Sequence, residues 1–225
     1  MGPLLDDFVI CYLDDVLIYS ADPAKHEDHV RAVLAKLKEN GLYCKASKCE
    51  FSVPCVNFLG FIVSENGVEM EMGKIESIEE WPVPESVKDV QVLLGFTNFY
   101  RRFIKRYAKL TAALTDLLKR KPGDKWEWTR AADLAFHKLK RAFTDAPILQ
   151  HFDPTKPITL QTDASGFAIA GILNQYDGFG VLRPVAFYSR KCTAAEQNYD
   201  TYDRELLPIV KSFKHWRHYM EEACH

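Results

Sequence analysis

Two adjacent acids, Asp14 and Asp15, are set between Phe8-Val-Ile-Cys-Tyr-Leu13 and Val16-Leu-Ile-Tyr19. The flanks are β-branched and aromatic, which predicts two strands joined by a tight turn. Hairpin turns favour Asn-Gly or Asp-Gly because their central residues need positive φ. Asp-Asp breaks that preference and sets like charges side by side, each making the other's ionisation more costly. A cation relieves such a conflict, and local rule-breaking of this kind marks functional sites. Two carboxylates on a rigid hairpin tip can hold a pair of divalent metals for in-line phosphoryl transfer. An isolated acidic pair at a tip is ordinarily a solvated turn. The unbroken apolar sequence on both sides favours the chemical reading.

A second acidic pair lies further along. Asp163 closes an apolar strand in Thr162-Asp-Ala-Ser165, and Glu205 sits on the following long helix in Tyr202-Asp-Arg-Glu-Leu206. A strand carboxylate facing a helix carboxylate is the start of a metal-assisted phosphodiester hydrolase. On spacing alone, a strand-end turn former and a solvated helix residue remain the open alternative. Between the two acidic pairs lies a basic element. From Ser86 to Lys121 nine cations stand against Asp89 and Asp116, a net of +7, which leaves −9 for the rest of a chain whose net charge is −2. Arg101, Arg102, Lys105, Arg106 and Lys109 are interleaved with Phe99, Tyr100, Phe103 and Tyr107. The aromatics read mainly as core, and some of the cations as phosphate contacts that bind without reading sequence and weaken steeply with salt.

The elements that must position these groups follow from pattern. With 225 residues, 47% hydrophobic and 27% charged, the chain can bury one ample core or two modest ones. Asp22 caps a helix with Pro23 in its first turn and Gly41 as its stop; Val30, Val33, Leu34 and Leu37 should pack on the sheet. Val56 to Val63 reads as a strand with a turn at Glu65-Asn66-Gly67, and Trp81-Pro82-Val83-Pro84 as a linker. Ser86-Val-Lys-Asp89 is a capping-box pattern opening a helix that buries Val90, Leu93, Leu94 and Phe96 and runs on to Ile104. A second helical stretch covers Leu110 to Leu118 and ends in Lys119 to Gly123. Thr129 caps another, with Ala132, Ala135, Phe136, Leu139 and Phe143 on one face. Ile158 to Asp163, Phe167 to Gln175 and Val185 to Arg190 predict three strands, and Ala195 to Tyr219 a final helix bent at Pro208.

Some classes are excluded. No apolar run has the length of a membrane span, and the N-terminus lacks a signal-peptide pattern, so the expected location is intracellular, in the cytoplasm or the nucleus. The six cysteines (Cys11, Cys44, Cys49, Cys55, Cys192, Cys224) read as reduced thiols. Cys44, Cys49 and Cys55 do not have zinc-ribbon spacing. His26/His29 and His215/His218 can each share a helix face but have no third ligand nearby, which argues against zinc.

Tyr12-Leu-Asp-Asp15 followed by Val-Leu-Ile-Tyr-Ser20 resembles the metal-binding hairpin of reverse transcriptases, in particular those of gypsy-type long-terminal-repeat (LTR) retrotransposons. Further segments resemble the same polymerases in colinear order. Lys48 sits in a Ser-Lys-Cys motif behind the hairpin. Phe58-Leu59-Gly60-Phe61 resembles the segment that grips the primer end. Leu94-Gly-Phe-Thr-Asn-Phe-Tyr-Arg-Arg-Phe103 resembles the thumb helix. Trp126-Glu-Trp-Thr129 and Pro147-Ile-Leu149 resemble the entry to the ribonuclease H region. Thr162 to Gln175 resembles that domain's opening strands, while Glu196 to Tyr199, Asp203 to Leu207 and Trp216 to Tyr219 resemble its first helix. The resemblance places Asp14 and Asp15 on the paired polymerase acids, and Asp163 and Glu205 on the first two metal-binding acids of ribonuclease H.

The resemblance implies an α+β architecture: a partial reverse-transcriptase palm (1–80), a helical thumb (81–125), then a connection and the N-terminal half of an RNase H-like fold (126–225). It implies RNA-directed DNA synthesis with hydrolysis of the RNA strand of a hybrid. Mg2+, or Mn2+ in its place, is the expected cofactor of the complete enzyme, and its partners are an RNA/DNA hybrid or primer-template and the remaining Pol segments. The family also uses an aspartate upstream of the paired acids and another downstream in ribonuclease H, neither of which this sequence carries. The expectation is therefore that the chain alone is inactive. A non-catalytic nucleic-acid-binding remnant and a decayed gene product are the alternatives.

Overall fold

The computed structural model describes residues 4, 5, 7–119 and 125–223, in two compact units, Met1–Glu65 and Asn66–His225. Arg120 and Lys121 of the basic stretch, the expected helix end up to Gly123, and Cys224 lie outside the described residues.

In the first unit the apolar flanks of the acidic pair form β1 (Val9–Tyr12) and β2 (Asp15–Ile18), antiparallel with Tyr12 opposite Asp15. The two-residue turn is therefore Leu13–Asp14, and Asp15 opens the second strand. That corrects by one residue the sequence expectation of a turn centred on the acidic pair. Leu13 supplies the positive φ, 51°, that a tight hairpin turn asks for. A hydrogen bond from Tyr19 N to Phe8 O, 3.0 Å, extends the ladder, and Val9 is buried. Asp22 accepts from Ala24 N at 3.0 Å ahead of α1 (His26–Glu39). After the helix Gly41 takes φ 67°, the left-handed conformation common just past a helix end. Val33 is buried, Val30 and Leu37 are half-buried, and Leu34 is exposed rather than packed.

The expected strand over residues 56–63 is instead a hairpin of β3 (Cys55–Phe58) and β4 (Phe61–Ser64). Its turn, Leu59–Gly60, has both residues at positive φ, 55° and 79°, the signature of a type I′ turn. Gly60 meets that demand without strain and Leu59 does not, which is why the apolar run looked continuous.

The second unit begins with β5 (Gly67–Met70), whose Val68 exchanges two 2.8 Å backbone hydrogen bonds with Leu149. Gly67, at φ 132°, lies so close to the Leu149 carbonyl that a β-carbon would overlap it. Next come α2 (Met72–Glu79), α3 (Val87–Phe99), α4 (Tyr107–Leu110), α5 (Ala112–Leu117) and α6 (Arg130–Thr144). Helix α6 packs against α2, α4 and α5. Thr129 caps α6 through Ala132 N, and all five residues expected on its inner face are buried. Ser86 caps α3 through Asp89 N, but Asp89 accepts from Glu85 N instead of completing the box at Ser86. Helix α3 stops at Phe99; a 3-10 turn over Arg101–Phe103 follows, so the continuous helix expected up to Ile104 is broken. Helix α2 has no side-chain N-cap and was not legible in the sequence.

Strands β6 (Thr159–Ala164), β7 (Ala168–Tyr176) and β8 (Leu182–Lys191) form an antiparallel sheet in that order. The expected final helix is three: α7 (Ala194–Gln197), α8 (Thr201–His215), which continues through Pro208, and α9 (Arg217–Glu222). Asp200 accepts from Asp203 N and starts α8 anew. Helix α8 lies on β6 and β7, with Ser212 directly over Gly171. Its outer side leaves Tyr202, Leu206, Ile209, Val210 and Phe213 exposed.

Candidate metal and nucleic-acid sites

Pairing and alternation set the hairpin's geometry. Opposed residues share a face, so Tyr12 and Asp15 lie with Ile10 and Leu17, away from the face that buries Val9. Asp14 occupies the turn itself. Both acids are exposed, and neither has an ion-pair partner among the described residues. The hairpin is fastened at its base. Ser20 Oγ lies 3.0 Å from His26 Nδ1 and 2.8 Å from His29 Nδ1, and the His29 ring stacks on Phe8 with centroids 4.0 Å apart. These histidines, candidate zinc ligands by spacing, are thus engaged with Ser20. A tip with two free carboxylates on a held base offers the all-oxygen donors that hard cations such as Mg2+ or Mn2+ take. Among the described residues no group of three His, Cys, Asp or Glu is placed to hold a metal. Lys48 is exposed in a 3-10 turn (Ala46–Lys48), and Phe58, Leu59 and Gly60 are half-buried at the β3–β4 tip.

In the second unit Asp163 stands opposite Ala170 on β7, which in turn stands opposite Ser189 on β8. The neighbouring row, Thr162, Gly171 and Tyr188, faces α8: Ser212 lies over Gly171, and Tyr188 stacks on His215 at 4.2 Å. Asp163 therefore projects from the other face. There it meets Arg106, with Nε 3.0 Å from Oδ2. Glu205, exposed on α8, shares a helical stripe with Pro208 and Ser212, the residues that meet the sheet. Asp163 is thus held by Arg106, while Glu205 stays exposed on α8. The ion-pair partner of Asp163 is Arg106, a contact the spacing of the two acids did not signal.

The basic segment divides into held and free cations. Tyr100, Phe103 and Tyr107 are buried as core and Phe99 is exposed. Burial pushes the Tyr107 phenol up, although its hydrogen bond to Thr97 Oγ1 at 2.8 Å opposes this. Arg101 donates to the Ser189 carbonyl and lies 5.9 Å from the Tyr107 ring, so it is absorbed into packing. Arg102, Lys105, Arg106 and Lys109 are exposed. Lys191 reaches the Asp116 carboxylate at 3.7 Å, tying β8 to α5.

Sequence reasoning passed over Glu196. It is buried, chelated by Arg190 and bonded by Thr193 N at 2.9 Å, which together hold its carboxyl down to about 2. The signal was present: Thr193-Ala-Ala-Glu196 is a capping-box spacing, and both halves of the box form. Arg106 was read as a phosphate contact, with no local signal of its partner 57 positions away.

Residues 2–63 match the family described as reverse transcriptase (RNA-dependent DNA polymerase), and residues 128–225 the RNase H-like domain found in reverse transcriptase. The Transposon Tf2-3 and Tf2-7 polyproteins of Schizosaccharomyces pombe are each 38% identical over 223 residues, covering 99% of this chain and 17% of the polyprotein. The chain thus spans about a sixth of the length of these curated relatives. Among solved structures, a foamy viral protease-reverse transcriptase in complex with dsDNA superposes with a TM-score of 0.80 at 22% identity, over 96% of this chain and 45% of that one. The same protein in complex with RNA/DNA hybrid gives 0.79 at 23% identity, over 94% and 29%. At this identity the likeness establishes the fold: an α+β chain with reverse-transcriptase and RNase H-like parts.

Proposed function

We propose, for a chain that belongs to the reverse transcriptase/RNase H region of gypsy-type LTR retrotransposon Pol, that it supplies the paired acids of RNA-directed DNA synthesis and the opening half of an RNase H-like nuclease. The observation that carries this reading is the β1–β2 hairpin, with Asp14 and Asp15 exposed at its tip and its base fastened to α1 through Ser20. Mg2+ or Mn2+ bound there would neutralise charge on the transferred phosphoryl group and on the attacking and leaving oxygens. Asp14 and Asp15 would hold it, while Lys48 and the Phe58-Leu59-Gly60 tip meet the primer-template. Asp163 and Glu205 are assigned to the nuclease metals.

Palm, thumb and RNase H-like part are assigned to 1–80, 81–125 and 126–225. The substrate is an RNA/DNA hybrid or primer-template, held through its phosphates by Arg102, Lys105, Arg106 and Lys109, with Arg101 anchoring the segment from below. Other Pol segments complete both metal sites and cover the apolar outer side of α8. The isolated chain is accordingly expected to bind a hybrid without turning it over.

The test uses a Pol protein that contains this chain, with primer extension and RNA-strand cleavage measured separately. Asp14→Asn should abolish extension and leave cleavage, and Asp163→Asn should do the reverse. If either variant leaves both activities intact, the assignment fails.

A further inference from the structure

We propose that Ser20, shared between the imidazoles of His26 and His29, positions the Asp14–Asp15 tip for the chemical step of DNA synthesis. This rests on the assignment of those two acids to the polymerase metal. The contacts converge on one oxygen: Ser20 Oγ lies 3.0 Å from His26 Nδ1 and 2.8 Å from His29 Nδ1. A hydroxyl has one proton to give, so with both rings neutral it donates to one Nδ1 and accepts from the other. His26 and His29 therefore hold opposite tautomers, and the two hydrogen bonds run in one direction through Ser20. Chained hydrogen bonds of this kind polarise and strengthen one another.

His29 also spans the mouth of the hairpin. Its ring stacks on Phe8, just before β1, with centroids 4.0 Å apart and planes 10° from parallel. Its Nδ1 meets Ser20, just past β2. One side chain thus ties the incoming and outgoing ends of the hairpin to α1, beside the hydrogen bond from Tyr19 N to Phe8 O. The link from Ser20 to α1 is short and pinned. Asp22 accepts from Ala24 N through its side chain and from Lys25 N through its carbonyl, at 3.0 and 3.1 Å, with Pro23 in that turn.

The distal half of the hairpin has little else to orient it. Every residue from Ile10 to Val16 is exposed, and Val9 alone among the residues of β1 and β2 is buried. A two-stranded hairpin by itself is marginally stable, so the direction of the tip is set at its base. From Ser20 back to Asp15 the chain runs roughly 17 Å, at about 3.4 Å per residue. A tilt of about 3° at the base then moves the acids by about 1 Å, and a displacement of that size costs about a hundredfold in rate where reacting atoms must be aligned. Ser20, His26 and His29 act through the placement of Asp14 and Asp15 and are positioning residues.

Primer extension by a Pol protein that contains this chain tests the role, with RNA-strand cleavage measured on the same preparations. Ser20→Ala should lower kcat for extension by about ten- to a hundredfold, with KM for primer-template and nucleotide within about two-fold of the parent and cleavage unchanged. Ser20→Thr, which keeps the hydroxyl, should restore kcat. His29→Phe, which keeps a ring against Phe8 and loses the bond, should resemble Ser20→Ala. Nitrogen-15 NMR of the 225-residue chain, with both rings neutral, should show one of His26 and His29 protonated at Nδ1 and the other at Nε2. The same tautomer in both, or a kcat left intact by Ser20→Ala while Asp14→Asn abolishes extension, would overturn the positioning role alone. So would a loss that Ser20→Thr does not restore or that extends equally to cleavage. Extension that survives Asp14→Asn would overturn the assignment of the acids on which it rests.

Discussion

Arg190 holds Glu196 through both terminal guanidinium nitrogens, each 2.7 Å from a carboxylate oxygen, at the junction where β8 passes into α7. Such a bidentate pair is both strong and geometrically specific. It closes the turn that leads into α8, and so sets the helix that carries Glu205.

The pair fixes a pH dependence. The Arg190 guanidinium and Thr193 N–H favour the charged form of Glu196 and hold its carboxyl down to about 2, against 4.5 for an ordinary glutamate. Folding stability from this group is therefore fully present above pH 4.5 and lost as the pH falls from 4.5 through 2. Glu196→Gln should cost about 2 kcal/mol at neutral pH and flatten that acid limb. Urea unfolding at a series of pH values measures both.

Gly171 is where α8 comes down onto the sheet. A β-carbon there would overlap Ser212 Oγ and crowd Trp216. Gly171→Ala should destabilise by about 1–3 kcal/mol. Ser212 Oγ is buried without a hydrogen-bond partner among the described residues, so Ser212→Ala alone should be close to neutral. Combined, the second change should recover part of the first loss, a coupling that a double-mutant cycle in urea detects.

Leu59 separates stability from function. Its φ of 55° favours asparagine, and Asn-Gly is the preferred type I′ turn. Leu59→Asn should raise stability by about 0.5–1 kcal/mol. If the β3–β4 tip grips the primer end, the same change should weaken primer-template binding. Thermal unfolding and a binding titration on one preparation read the two effects.

The free cations of the basic segment should appear in the salt dependence of binding. Replacing Arg102 and Lys105 by Gln should weaken hybrid binding for all sequences alike. It should also reduce the slope of log affinity against log salt by about 1 to 2. Arg101→Gln should mainly lower stability, because Arg101 is committed to the Ser189 carbonyl.

Local pattern made much of this legible. Thr129 and the spacing of Ala132, Ala135, Phe136, Leu139 and Phe143 placed α6 and its buried face, because cap and period agreed. The β1–β2 hairpin was visible in its apolar flanks, but its register was not. Turn preferences assume glycine or asparagine at positive φ, and here Leu13 takes that place. The same habit hid the β3–β4 turn at Leu59. Helices α7, α8 and α9 read as one because apolar spacing runs across the break that Asp200 makes. Nothing local could show that Asp163 meets Arg106. That pairing exists only once the chain has brought the segment before α4 over the sheet.

A divalent metal held by Asp14 and Asp15 at the hairpin tip should be detectable by where it cuts the chain. Fe2+ substituted for Mg2+, with ascorbate and peroxide, cuts the backbone near the bound ion, and mass spectrometry maps the cuts in the 225-residue chain. Cleavage is expected close to Leu13–Val16, suppressed by excess Mg2+ and absent in Asp14→Asn, Asp15→Asn. Cleavage elsewhere, or cleavage at the hairpin that survives loss of both acids, would contradict it.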